Sequence, residues 1–427
     1  MNYFEYPQLG EGLYKEQLSN GLTVMVVPRP GFSKKLAYFV TDFGAIHREF
    51  TLDGEKIQVP AGIAHFLEHK MFDLPGGRDV TAELAALGAG TNAFTSYDMT
   101  AYYISCTDNF EQALKLLIEF VSTPYFTEES VQKEMGIIDQ EIGMNVDSPD
   151  SSCFENLMTA MYQVHPIKVP ILGDSNSIRE ITPELLHLCH RAFYTPGNMI
   201  LCVVGDVDSD RVAEIATEIL GAEPRSVGRK IMDWQEEMTT TGENPRISME
   251  VAMPTFQLGF KCEPVGIGPE AIRQEIIGDL AAEALFGESS QLYLRLYEEG
   301  LIDTSFGGGF ETIDGMAMLL CSGDSDDPEA VRDAILEEVG RLAETGLEEQ
   351  HFTRMKRSAF GRRIRDLDSF DSTCFRMCAY HMGGFDYFKF PELYQQITPD
   401  ELVQFLIRTV QPQRCSLSIV DPLKEEA

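Results

Sequence analysis

Apolar and polar positions along the chain follow two periods, and the two halves repeat one succession of them. Ala101 to Cys106 reads as a strand, and Asn109 to Ser122 carries apolar residues at helical spacing. A Thr123-Pro124 turn follows, and then a long helical run from Thr127 to Met144. About 220 residues later the order recurs: a strand at 317–321, a helix from Pro328 to Ala343 and a long charged helix from Leu347 to Arg365. Upstream, Leu18 to Pro28 forms a hairpin-like strand segment and Leu36 to Phe43 a second strand. Arg246 to Met253 and Gln257 to Lys261 take those parts in the second half. A recurring succession of this kind predicts two α+β domains of one topology, residues 1–221 and 246–427. Residues 222–245 between them are polar, with Pro224, Gly228, Thr239, Thr240, Thr241 and Gly242, and read as a linker.

One helix in the first half carries chemistry. In His65-Phe66-Leu67-Glu68-His69, with turns of 100° per residue, His69 lies roughly 40° around the axis from His65 and Glu68 roughly 60° the other way. All three project from one face. Neutral imidazoles bind zinc, and a carboxylate beside the metal can take a proton from water. His-x-x-Glu-His is the order of the inverted zincins. Two surface histidines beside a glutamate would be the plainer reading. However, apolar residues at 63, 64, 66, 67, 71 and 72 predict a buried helix, where such side chains need partners. The second half keeps a helix there, Ile276 to Phe286, but aligns Asp279, Ala282 and Glu283 with His65, Glu68 and His69.

Composition narrows the setting. A chain of 427 residues exceeds one ordinary core, and 44% hydrophobic with 24% charged residues is typical of a globular protein. The net charge of −34 opposes nucleic acid and anionic membrane surfaces, leaving an acidic solvated surface or the steering of cationic substrates. No apolar run reads as a secretory signal or a membrane span. Nine singly placed cysteines read as reduced thiols of a cytoplasmic protein. Cys374 and Cys378, at i,i+4 spacing, read as core or surface thiols.

A catalytic zinc takes three protein ligands. Glu134 and Glu141 are seven apart on the long helix and share a face, yet taken alone they are ordinary helix-surface charges. The motifs as a set go further. Asn20-Gly21-Leu22-Thr23-Val24, Gly62 to His69, Gly90 to Ser96 with Thr100 and Tyr102, Glu134 with Glu141, His165-Pro166, Ile171-Leu172-Gly173, Phe193 to Met199 and Val203 to Asp206 span the first half. In that order they resemble the family of pitrilysin, insulin-degrading enzyme and the mitochondrial processing peptidase, the inverted zinc metallopeptidases, in its short two-domain bacterial branch.

The resemblance implies an α+β fold of two homologous α/β-sandwich domains, half of a four-domain chamber. It implies one Zn2+ per chain held by His65, His69 and Glu141, Glu68 as general base, and Glu134 orienting a histidine ligand. It makes Asn92, Ala93, Phe94 and Thr95 the edge strand on which an extended peptide is laid. Without the resemblance, Asn92 reads as a turn residue. The family's second domain supplies an arginine and a tyrosine to hold the substrate carbonyl. Arg295 fits the first, while the tyrosine's place falls at Ile302 or Asp303, and neither is a phenol. Tyr293 and Tyr297 read as packing aromatics. The implied function is a zinc endopeptidase for short or extended peptides, working as a homodimer or with a homologous inactive subunit. The alternative is a non-catalytic structural or assembly subunit.

Overall fold

The computed structural model describes residues 1–423. Thr23–Pro28, Lys35–Thr41 and Met199–Gly205 are apolar almost without alternation, as strands covered on both faces must be. Their side chains divide by pleat. Val24, Val26, Ala37, Phe39, Leu201 and Val203 enter one core, and Met25, Val27, Leu36, Tyr38, Val40 and Cys202 enter another.

These strands lie in a seven-stranded sheet ordered Asn2–Tyr6, Glu11–Gln17, Thr23–Pro28, Met199–Gly205, Lys35–Thr41, Thr100–Cys106, Gly90–Thr95. The second half builds a five-stranded sheet ordered Arg246–Met249, Cys415–Pro422, Thr255–Lys261, Met316–Asp324, Gly307–Ile313. Its order and strand senses match the last five strands of the first, a parallel pair followed by antiparallel neighbours. The internal repeat is therefore a repeat of topology, and the two outermost strands of the first sheet are an addition. Arg246–Met249 is shorter than the sequence pattern suggests, because the chain turns after Met249.

Each half lends a helix to the other's sheet. Pro149–Met161 lies on the second sheet, where Cys153 Sγ meets Ser418 O at 3.3 Å. Met161 comes so close to strand Thr255–Lys261 that a Cβ on Gly259 would stand 2.2 Å from its sulfur. In return Phe370–Met382 covers the outer face of the first sheet, with Cys374 Sγ 3.7 Å from Cys202 O. Cys374 and Cys378 are core thiols of this contact, and all nine cysteines are free and buried.

The connecting segment is pinned rather than slack. Glu236 accepts the backbone amides of Gln163, Val164 and His165 at 2.7–2.9 Å and the ammonium of buried Lys261 at 2.6 Å. Burial opposes its charge, but these donors outweigh that and hold its pKa at about 2. Among the described residues no helix is long and apolar enough to cross a membrane.

Candidate active site

The helix Ile63–Lys70 is buried along almost its whole length, as the apolar residues around its histidines require. It starts from Gly62 at φ 84°, where a side chain would be strained and its Cβ would stand 2.4 Å from Leu172 O. Beside it runs Glu128–Val146, started by Thr127, whose hydroxyl and Ser130 cap each other's amides. Ile138 and Ile142 fix that helix in the core and turn Glu134 and Glu141, four residues before and three after Ile138, toward the histidines.

His65 Nε2 and His69 Nε2 each lie 3.6 Å from a different oxygen of Glu141, and donor atoms of the three residues all fall within 4.8 Å of one another. Those gaps are too long for hydrogen bonds. They suit a shared ion, since zinc bonds of about 2.0–2.1 Å at tetrahedral angles separate donors by roughly 3.3 Å. His69 Nδ1 donates to Glu134 Oε1 at 3.0 Å, because a carboxylate only accepts, and this leaves the Nε2 lone pair facing Glu141. His65 Nδ1 is buried without a partner among the described residues. The donor set and its spacing fit zinc.

Charge follows environment. Burial, and then the neighbouring His69, lower the His65 pKa to about 4, keeping that ring neutral and able to ligate. Burial also lowers His69, but the Glu134 hydrogen bond and the surrounding carboxylates outweigh it and raise the pKa. Glu134 is held down chiefly by that same bond. Burial raises Glu68 above the ordinary carboxylate value, partly offset by the Thr95 hydroxyl, which donates to Oε2 at 2.6 Å. A carboxylate so raised is a better proton acceptor.

Burial likewise depresses His165, His190 and His381 to about 4. Between pH 6.5 and 4 the unfolded chain therefore takes up protons at four imidazoles that the folded chain refuses. His69 and the buried carboxyls of Glu68 and Asp279, the last pushed up to about 7 chiefly by burial, act in the opposite sense. The four imidazoles alone lower the melting temperature of the metal-free protein as pH drops through that window, and calorimetry is expected to show a smaller fall in a His190→Gln variant than in the native chain.

Strand Gly90–Thr95 is the sheet's last, paired among the described residues only with Thr100–Cys106, and it lies against the motif helix with its other edge open. Asn92 sits within this strand rather than in a turn, exposed, with its own side chain accepting the Ala93 amide at 2.9 Å. Ala93 and Thr95 face the motif helix, while Phe94 points to the opposite face against Tyr38 and Phe375. Behind Glu68, the buried Tyr102 and Tyr194 hydroxyls meet at 2.8 Å. Spacing signals neither this pair nor the Thr95–Glu68 bond, although Thr95, Tyr102 and Tyr194 all lie in the motifs that carry the resemblance.

The second half has no such metal cluster among the described residues. On its equivalent helix, Pro269–Phe286, Glu283 is bound by Arg362 at 2.7 Å, and Asp279 by Arg363 at 3.2 Å. Arg362 stands as far into helix Glu349–Arg365 as Glu141 stands into its own. Acids thus replace the imidazoles and an arginine replaces Glu141, so the helix pair is kept with its charges exchanged. Arg295 is turned to Glu337 of its own half, 3.3 Å away; Ile302 is buried, and exposed Asp303 accepts the Ser305 amide. Tyr293 and Tyr297 stack on each other as packing aromatics.

Comparison with known proteins agrees with this arrangement. The insulinase model (peptidase family M16) matches residues 58–175, and the peptidase M16 inactive-domain model matches residues 180–359. A Bacillus subtilis protein named as the uncharacterized zinc protease YmfH is 36% identical over 423 residues, 98% of either chain. A crystal structure described as an M16-like peptidase from Alicyclobacillus acidocaldarius superposes with a TM-score of 0.93 at 31% identity, covering 98% of this chain and 100% of that one. A protease structure from Helicobacter pylori, at TM-score 0.83 and 19% identity over 96% of this chain and 99% of that one, shares the fold. With the inverted zincin helix in its first domain, charge-exchanged helices in its second and relatives matched end to end, the chain belongs to the insulinase family, peptidase family M16.

Proposed function

We propose that the protein is a zinc-dependent endopeptidase that hydrolyses short or extended peptides, with one zinc per chain. The observation that carries this reading is the meeting of His65, His69 and Glu141 beside Glu68, at the end of a strand whose edge is open. Zinc bound there supplies a Lewis acid that favours deprotonation of water and polarises a peptide carbonyl. The substrate adds to Gly90–Thr95 through main-chain hydrogen bonds, which accept many sequences. Glu68 takes the proton from the attacking water and returns it to the leaving amine. Glu134 fixes the His69 ring, so that the ligand does not have to reorganise.

Arg295 turned to Glu337, and the missing phenol near Ile302 and Asp303, support a partner of the same fold that completes the substrate-binding wall. Whether that partner is a second copy or a homologous inactive chain, two such chains would enclose the site and admit unfolded segments only. Free, buried cysteines fit a reducing, cytoplasmic setting. The test is cleavage of quenched peptides and of a folded protein by the zinc-loaded chain, alone and with what copurifies from its source. Cleavage of the peptides only, abolished by chelator and restored by zinc, is the expected result. A zinc-loaded complex that cleaves nothing would leave the structural-subunit reading.

A further inference from the structure

We propose that Thr95 is a positioning residue for peptide hydrolysis: its hydroxyl holds Glu68 through Oε2, leaving Oε1 to accept the proton of the attacking water. The inference rests on the peptidase reading above and assigns a role within that site.

Among the described residues Thr95 is the one side chain that hydrogen-bonds Glu68, at 2.6 Å, and the carboxylate is otherwise buried. The direction of that bond is fixed. Thr95 Oγ1 also lies 3.4 Å from Thr100 Oγ1, but Thr100 donates its proton to Phe43 O at 2.8 Å. Thr100 thus has no second proton to give, and Glu68 takes the Thr95 proton at the shorter, better distance. The hydroxyl itself is held from behind. Thr95 pairs with Thr100 across the ladder, and the next residue, Ser96, accepts the amide of Met99 at its Oγ, which closes the turn between the two strands.

This geometry has a mechanical consequence. A Glu side chain has three rotatable torsions, and fixing one carboxylate oxygen orients the other. The anchor is the strand along which the substrate's main chain is laid, so base and peptide share one rigid reference. The proton leaves the water oxygen for Oε1 and passes from Oε1 to the leaving nitrogen, and the Thr95 proton stays on its own oxygen throughout.

The experiment compares Thr95→Val, which keeps the shape and removes the donor, with Thr95→Ser, which keeps the donor, in the zinc-loaded chain with its copurifying partner. Thr95→Val is expected to lower kcat by about 10–100-fold, as for partners that orient catalytic groups, with KM and zinc content unchanged. Thr95→Ser is expected to restore most of the rate. Thr95→Ala replaces the valine variant if that one does not fold. A readout without zinc or turnover is the crystal structure of metal-free Thr95→Val, in which the Glu68 carboxylate should leave its position. Wild-type kcat in the valine variant, a loss confined to KM, or an unmoved Glu68 would overturn the assignment while leaving the peptidase reading intact. A wild-type complex that cleaves no peptide would overturn both.

Discussion

Glu68→Gln is expected to bind zinc as the native chain does and to lose about 10²–10⁴-fold in peptide turnover, the range a positioned general base supplies. The amide is nearly isosteric, so His65, His69 and Glu141 keep their places and metal content should not change. What is lost is the acceptor. An amide oxygen cannot take a proton from water at neutral pH, and the NH2 group sends a donor where the water's own proton points. Burial makes the effect sharper, since no solvent can substitute at a side chain 8% exposed. Metal analysis beside a quenched-peptide assay decides it, and undiminished cleavage by a zinc-loaded Glu68→Gln protein would remove Glu68 from the mechanism. A non-catalytic scaffold predicts something different: no cleavage to lose, and no reason for a buried carboxylate at this position.

How much of this could be read from the sequence depended on how local each feature is. The motif helix was legible because two candidate ligands, the candidate base and most of the burial pattern fall within eight consecutive residues. The strands Thr23–Pro28 and Met199–Gly205 were legible because burial on both faces leaves near-continuous apolar runs. Asn2–Tyr6 was not, since its side chains are mostly exposed and nothing in its pattern distinguishes a solvated edge strand from a loop. The crossing of Pro149–Met161 and Phe370–Met382 was hidden for another reason. An amphipathic helix reports that it covers a sheet and says nothing about which of two like sheets it covers. Glu134 and Glu141 lie between these limits. Periodicity placed them on one face, but their meeting with His69 and His65 is a contact across more than 60 residues, supplied by the resemblance and then seen in the packing of two helices. The Thr95 hydrogen bond was beyond either source, because a threonine in a strand has many roles and only coordinates choose among them.

The charge exchange between the halves bears on the second large expectation, the loss of metal when a ligand is removed. In the second half, arginines cross-link the helix pair through acids, so no ion is needed there. In the first half His69 bonds Glu134, but the imidazole Nε2 atoms and Glu141 stand 3.6 Å apart, too far for hydrogen bonds, and a metal held by the three would be the further cross-link. His65→Ala, His69→Ala and Glu141→Gln are each expected to lose zinc on dialysis and all peptide cleavage with it. Glu134→Gln, which changes only the partner of a ligand, should weaken zinc by about 10–100-fold and keep part of the activity at saturating metal. Stability reports the same order independently of turnover. Zinc at a hundredfold over its dissociation constant should stabilise the native chain by about 2.7 kcal/mol, and the three ligand variants should gain almost nothing. In the metal-free state His65→Ala should unfold no more easily than the native chain at pH 5, because it removes an imidazole that the fold buries with Nδ1 unpaired and keeps neutral down to about pH 4. Zinc-dependent stabilisation that survives in His65→Ala and Glu141→Gln would place the metal elsewhere in the chain.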